Sequence, residues 1–245
     1  MLSKRPCDGD DEATGLRSEA ADGSGSVRRF AESAVAVAAC LMLAAPATVI
    51  AAELRLQVSA PDGAPAPGLV VTVTPTSGVA PRPRPTAVVM DQIDKAFEPE
   101  LRVIATGSTV AFPNSDVVSH QVYSFSKAKR FQLPLYRGTP YPPVRFDEPG
   151  LVTVGCNIHD AMIGYIVVTD APWHGQTDAL GQWVTADLPP GDYTVHVRHP
   201  RMRGQSDERV AEVSVAAGKR AELAVSLVRP LRPAPLKGPA RQWDY

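Results

Sequence analysis

Four residues in this sequence have side chains that together could hold a metal ion. Cys156, His159 and Met162 fall within seven residues, and His120 lies 36 residues before Cys156. A thiolate, two imidazoles and a weak axial thioether are the ligand set of a blue-copper electron-transfer site. Structural zinc sites, by contrast, usually have four Cys or His ligands. The residue types therefore favour copper over zinc.

The strand pattern around these residues predicts that they face the interior of a β-sandwich. Residues 150–156 alternate as in a strand, so Cys156 shares a face with two valines. A short loop follows, and residues 163–169 are the next predicted strand. His120 lies on the apolar face of a separate strand-like segment. The pattern therefore predicts that His120 and Cys156 point inward, with a ligand loop between two strand ends.

The segment from about residue 86 to residue 170 resembles the cupredoxins. The resemblance rests on the pattern C-x2-H-x2-M followed by Gly164, and on an upstream run formed by Phe97, Glu98, Pro99, Val103, Gly107, Val110, Phe112, Asn114, Asp116 and His120. The short ligand loop is most similar to that of the amicyanins, blue-copper proteins of methylamine oxidation. The resemblance implies a Greek-key β-sandwich that binds one type 1 copper. It implies that His120, Cys156 and His159 are the in-plane ligands and that Met162 is the axial ligand.

Two positions depart from the family pattern. The first ligand His is usually followed by Asn, whose side chain ties the two ligand loops together, whereas this chain has Gln121. Pro often precedes the second ligand His, whereas this chain has Ile158. Groups around the ligands tune a metal site. These departures therefore bear on the surroundings of the metal and its reduction potential more than on its identity.

Residues 28–52 have the features of a secretory signal peptide. Two arginines precede an apolar run broken by small residues and Pro46, and small residues end the segment. Residues 1–27 are polar and are predicted to be disordered or a mis-assigned start. Removal of the signal leaves Cys156 as the one cysteine, so no disulfide can form within the mature chain. The prediction is a periplasmic or secreted protein without a membrane span in its mature form.

The segments on either side of residues 86–170 resemble the two halves of a carboxypeptidase regulatory-like, transthyretin-type β-sandwich. Residues 53–76 contain two predicted strands joined by a Pro/Gly turn. Residues 174–228 contain the patterns T-D-x-x-G-x-W and L-P-P-G-x-Y. We therefore predict an all-β protein in which a cupredoxin Greek-key sandwich is inserted in, or joined to, a second small β-sandwich.

Proline-rich segments border these predicted units. Residues 77–85 are a predicted stiff linker into the central segment, and Ala171, Pro172 and Trp173 form the connector out of it. Residues 229–245 are a Pro-rich basic tail that is predicted to be disordered. Outside the four-residue set, His174 is predicted to be an exposed connector residue. His196 and His199 are assigned surface or packing roles because no carboxylate cluster accompanies them.

The predicted function is that of a monomeric one-electron carrier with a redox protein as its partner and a possible link to methylamine oxidation. After residue 52 the chain has 20 Lys and Arg against 19 Asp and Glu, so no basic face predicts nucleic-acid binding. Enzyme activity is not expected and no catalytic residues are assigned, because the chain lacks the extra His-x-His sites of copper oxidases and nitrite reductases. Two alternatives stay open: a copper-binding or delivery module, and a structural β-sandwich in which Cys156 is inert.

Overall fold

The computed structural model describes residues 52–234. Predictions for residues 1–51, which include the start region and nearly all of the signal peptide, lie outside this range, as do those for residues 235–245. The regular structure of the described residues consists of seventeen β-strands and one 3₁₀ turn, Gln205–Asp207. The predicted all-β class is confirmed. No helix in the described part of the chain is long and apolar enough to cross a membrane.

The outer sandwich is built from both ends of the described chain. Its strands are β1 Ala52–Ser59, β2 Val70–Pro75, β13 Trp173–Gln176, β14 Gln182–Leu188, β15 Gly191–Arg198, β16 Arg209–Val215 and β17 Arg220–Ser226. One sheet has the order β14-β1-β17 and the other the order β13-β2-β15-β16. β1 runs parallel to β17, and β2 runs antiparallel to β13 and β15. The segment between β2 and β13 is therefore inserted in this sandwich.

Period-two alternation explains the core of the outer sandwich. In β1, Leu54, Leu56 and Val58 are buried while the residues between them are only partly buried. Val71 and Val73 of β2 join the same buried cluster. Because a strand buries every second residue against the facing sheet, the apolar residues of both chain segments meet in one core.

The central sandwich is formed by ten strands between the two halves of the outer one. They are β3 Ala87–Val89, β4 Asp91–Ile93, β5 Ala96–Glu98, β6 Leu101–Ala105, β7 Thr109–Ala111, β8 His120–Ser126, β9 Lys129–Tyr136, β10 Val144–Arg145, β11 Gly150–Gly155 and β12 Ile163–Thr169. A five-stranded sheet has the order β6-β12-β11-β8-β9, a three-stranded sheet the order β10-β7-β3, and β4 pairs with β5. β6 pairs with β12 and β3 with β7 in parallel, and the buried apolar residues of these sheets form a single core.

The two sandwiches touch through a small apolar contact. Val70 of β2, Leu101 of β6 and Val167 of β12 are buried together, with Val103 and Tyr165 packed against them. Beside this contact Arg201 of the outer sandwich lies 3.7 Å from the carboxylate of Glu100. Leu101 and Val167 belong to the five-stranded sheet, so this contact covers part of the outer face of that sheet.

Two local predictions differ from the structure. Trp173 and His174 begin β13, so the connector after β12 is shorter than predicted. His174 is half-buried, and its Nδ1 lies 2.9 Å from the Ala171 carbonyl oxygen.

Residues 229–234, part of the predicted disordered tail, run along the outer sandwich. There the Arg232 side chain donates to the carbonyl oxygens of Pro200 and Arg201.

His199 is buried and uncharged in the folded protein at neutral pH. Burial, with a smaller contribution from the positive charge of Arg201, lowers the pKa of His199 from 6.5 to about 4. Between these two values the unfolded chain binds a proton at this residue and the folded chain does not. Folding stability therefore falls as the pH falls through this window, and below about pH 4 the residue contributes no further loss.

We expect His199 to account for roughly 2–3 kcal/mol of stability lost between pH 6.5 and pH 4. Urea unfolding of the metal-free protein at several pH values measures the loss. The variant His199→Gln should flatten the profile by this amount, even if it lowers stability at neutral pH. An equal slope in His199→Gln and the wild type would contradict the prediction.

Candidate metal centre

Cys156 is placed at the end of β11 by the alternation of that strand. Val152 and Val154 are buried while Leu151 and Thr153 are exposed, so the next inward position falls to Cys156. The loop that follows is closed by two backbone hydrogen bonds. The Cys156 amide donates to the Met162 carbonyl oxygen at 3.2 Å, and the Met162 amide donates to the His159 carbonyl oxygen at 2.9 Å. The loop is therefore compact and holds both of its ends at the end of the sheet.

His120 is the first residue of β8 and is completely buried. Val122 and Ser124 follow it on the same inward face. β8 lies next to β11 in the five-stranded sheet, with Tyr123 opposite Gly155. This pairing brings the start of β8 to the end of β11, where Cys156 lies. The predicted inward orientation of His120 and Cys156 matches their burial.

Three of the four predicted ligands converge on one point. One possible ligand atom from each of His120, Cys156 and His159 lies within 4.8 Å of the others. The Cys156 Sγ atom is 3.8 Å from His120 Nδ1 and 3.9 Å from His159 Nδ1, and the two Nδ1 atoms are 3.2 Å apart. His120 and Cys156 are buried, whereas His159 is half-buried. The cluster therefore reaches from the core toward the surface along the His159 ring.

Met162, the fourth predicted ligand, is buried in the same apolar cluster as Cys156, with 1% of its surface exposed. It ends the ligand loop just before β12. An open groove of about 440 Å³ runs along the outer face of the sheet beside this loop, and Cys156, Met162, Tyr123 and Asp160 contribute to its lining.

Asp116 holds the outer side of the His120 ring, a role that the sequence reasoning missed. Its Oδ2 atom lies 2.9 Å from His120 Nε2, and its side chain is 6% exposed. The backbone amide of Lys95 donates to the same carboxylate oxygen, and the Asn114 side chain accepts from the Asp116 amide. The carboxylate therefore keeps a proton on Nε2 and leaves Nδ1 to face Cys156. A metal-ligating His commonly has such a carboxylate partner.

The charges of this cluster support one another. Burial would raise the pKa of the Cys156 thiol, but hydrogen bonds from His120 and from the amides of Gln121 and Ile158 bring it below its usual value. Burial would lower the pKa of His120, but Cys156 and Asp116 raise it. Burial would raise the pKa of Asp116, but His120 and backbone amides lower it. In all three groups the contacts within the cluster shift the pKa opposite to the effect of burial, toward the charged form.

The two departures from the cupredoxin pattern have visible consequences. Within the described residues the Gln121 side chain makes no hydrogen bond, so it does not tie the two ligand loops together as Asn would. The backbone amide of Gln121 instead reaches the thiol of Cys156. Ile158 is 52% exposed and donates its amide to the same thiol. The backbone therefore provides the connection between the loops.

No family model and no curated protein matches the sequence. Among solved structures, a purple cupredoxin from Nitrosopumilus maritimus is 21% identical over 34% of this chain and 99% of its own, with a TM-score of 0.31. An oxidised amicyanin variant is 19% identical over 40% of this chain and 99% of its own, with a TM-score of 0.32. The copper-containing nitrite reductase NirK from Thermus scotoductus SA-01 is 25% identical over 39% of this chain, with a TM-score of 0.33. The match spans 25% of that enzyme's length. At these low TM-scores the structural similarity does not support a conclusion about function.

Proposed function

We propose that this chain is a cupredoxin-type copper protein that carries single electrons in the periplasm. The observation that supports this most is the convergence of His120 Nδ1, His159 Nδ1 and Cys156 Sγ within 4.8 Å at one end of a β-sandwich. His120, Cys156, His159 and Met162 would hold the copper. When bound, copper in such a site supplies reversible exchange of one electron.

The distances among these atoms fit three ligands around one metal ion. Metal–nitrogen bonds of about 2.05 Å and metal–sulfur bonds of about 2.3 Å place N and S about 3.8 Å apart in a trigonal site and about 3.6 Å apart in a tetrahedral one. The N–S separations of 3.8 and 3.9 Å match the trigonal value, and the N–N separation of 3.2 Å is shorter than the roughly 3.55 Å that two such metal–nitrogen bonds give at 120°. A trigonal His₂Cys set with a weak axial Met is the arrangement of blue-copper centres.

The surroundings favour electron transfer over bond chemistry. Three ligands are fixed by buried elements: His120 by Asp116 and β8, Cys156 by the end of β11, and Met162 by the closed loop. A site that keeps its ligands in place for both oxidation states limits reorganisation on electron transfer. With four ligands supplied by the chain, no open position would be left for a substrate.

The half-buried ring of His159 would be the route for electrons to a partner. Ile158, beside it, is 52% exposed and gives this end an apolar contact, and exposed Asp160 adds a negative charge. Transient redox partners need only a small contact, so binding should be weak and sensitive to salt. Export through the predicted signal peptide would place this partner in the periplasm. The amicyanin-like loop suggests methylamine oxidation as the process served.

Loading the purified mature chain with copper and recording its visible spectrum tests the proposal. We expect an intense thiolate-to-copper band that bleaches on reduction and returns on oxidation, and rapid electron exchange with a small redox protein. Failure of the chain to take up copper would indicate a purely structural β-sandwich. Rapid loss of copper to a chelator would indicate delivery, and turnover of nitrite would indicate an enzyme. Any of these three results contradicts the carrier proposal.

We expect Met162→Gln to keep the copper and lower the reduction potential. A thioether favours Cu(I), whereas an amide oxygen is harder and favours Cu(II). Each tenfold gain of Cu(II) affinity relative to Cu(I) lowers the potential by about 60 mV. Cyclic voltammetry of the loaded protein measures the shift. Met202→Gln, in the outer sandwich, is the control and should leave the potential unchanged. An unaltered potential in Met162→Gln would remove Met162 from the ligand set.

A further inference from the structure

A second cleft, of about 320 Å³, lies where the two sandwiches meet. Leu151 and Val167 of the central sandwich form one wall, and the segment from Arg198 to Glu208 of the outer sandwich forms the other. None of the four predicted metal ligands lines this cleft. Its volume is at the lower end of the roughly 300–1,000 Å³ of small-molecule sites. The cleft requires both sandwiches, since each supplies one wall.

The cleft offers hydrogen-bond donors that the protein itself leaves without acceptors. Within the described residues the Arg198 side chain makes no hydrogen bond or ion pair, and its Nε atom is buried. His199 is 8% exposed, and its Nδ1 accepts the Arg201 amide at 3.0 Å. The proton of the neutral ring is therefore on Nε2, which has no acceptor among the described residues. Arg198 Nε is therefore a buried donor without a partner, which is costly and points to an acceptor supplied from outside, and His199 Nε2 is a second donor beside it.

The remaining lining residues define the rest of the ligand. Glu208 is the one carboxylate in the lining, and it lies 3.0 Å from His196 Nδ1, which pairs with it. The opposite wall is hydrocarbon, because it is formed by Val167 and by Leu151, which is 46% exposed although it is aliphatic. Met202 adds a thioether side chain from the outer sandwich. A compound that fits has one anionic end and a small apolar body.

We propose that this cleft binds a small organic carboxylate, with the carboxylate on Arg198 and His199 and the apolar part between Leu151 and Met202. This site is independent of the copper centre and does not rest on the proposed function. A ligand that touches both sandwiches stabilises the folded protein by mass action.

Benzoate is a suitable probe, and benzyl alcohol is its neutral counterpart of similar size. We expect benzoate to bind the full mature chain saturably in calorimetric titration, with or without copper, and benzyl alcohol to bind at least tenfold more weakly. In protein labelled at the methionine methyl groups, the Met202 NMR signal should shift on titration, while the signals of Met90 and Met162 should stay in place. Arg198→Gln should weaken benzoate binding by roughly tenfold or more, because it removes a charge-assisted hydrogen bond.

Arg130→Gln is the matched control, because it removes an exposed arginine from β9 of the central sandwich. It should bind benzoate as the wild type does. Three results would each overturn the proposal: no saturable benzoate binding, equal affinity for benzoate and benzyl alcohol, or an Arg198→Gln variant that binds like the wild type. A shift of the Met162 signal in place of Met202 would place the ligand in the groove beside the metal centre and would also overturn it.

Discussion

Replacing Cys156 with serine should abolish the intense colour of the copper-loaded protein and its electron exchange. In the proposed site the thiolate would be the donor of the charge-transfer band, and Sγ is one corner of the three-atom cluster. A hydroxyl is a poor copper ligand at neutral pH, so copper affinity should fall by more than the roughly 10–100-fold that loss of an outer-shell partner costs. Visible absorption, electron paramagnetic resonance and stopped-flow electron exchange measure these losses.

The fold should survive this substitution. Serine is close to cysteine in volume, and its hydroxyl can keep a hydrogen bond with His120, so we expect a change of about 1–2 kcal/mol in the unfolding free energy of the metal-free protein. Met90→Leu is the control, since Met90 is buried in the same apolar cluster and a leucine conserves its volume. It should leave the colour intact. A Cys156→Ser variant that keeps the colour or still exchanges electrons would exclude the thiolate as a ligand.

The parts of this site that follow from strand periodicity could be predicted from the sequence. Cys156 and His120 lie on the buried faces of β11 and β8 because side chains alternate along a strand. The inserted arrangement was predicted from the resemblance of residues 53–76 and 174–228 to two halves of one β-sandwich, and the structure pairs β1 with β17 and β2 with β13 and β15. Both features depend on local patterns, which a single sequence displays.

Features that depend on loop direction or on contacts between sandwiches could not be predicted. Asp116 was visible as part of a family-like run, but its contact with His120 depends on the turn that Asn114 organises. His174 was expected in an exposed connector because it follows the Pro-containing segment 171–173, whereas β13 in fact begins at Trp173. The burial of His199 comes from packing between distant segments, which composition and periodicity do not encode.

We expect Asp116→Asn to raise the reduction potential and weaken copper binding about 10–100-fold. The Asp116 carboxylate lies 2.9 Å from Nε2 of His120, and its side chain is 6% exposed. Because little solvent screens this contact, the negative charge of Asp116 interacts strongly with the His120 ring. In the proposed copper site that charge would strengthen the imidazole as a donor and would stabilise Cu(II) more than Cu(I). Asparagine can still accept the Nε2 proton but removes the charge. The potential should therefore rise by about 60 mV for each tenfold loss of Cu(II) affinity relative to Cu(I).

A purely structural role for Asp116 makes a different prediction. The Lys95 amide donates to the same carboxylate, and an asparagine oxygen can accept it, so loop stability alone gives little reason for the potential to move. Asp160→Asn removes an exposed charge from the ligand loop and is the matched control, with a smaller and salt-dependent shift expected. Asp116→Glu restores the charge and should recover part of the wild-type potential if its longer side chain reaches Nε2. Voltammetry at two salt concentrations and competition with a copper chelator measure both quantities. If Asp116→Asn matches the wild type in potential and in copper affinity, the carboxylate does not act on the metal through His120.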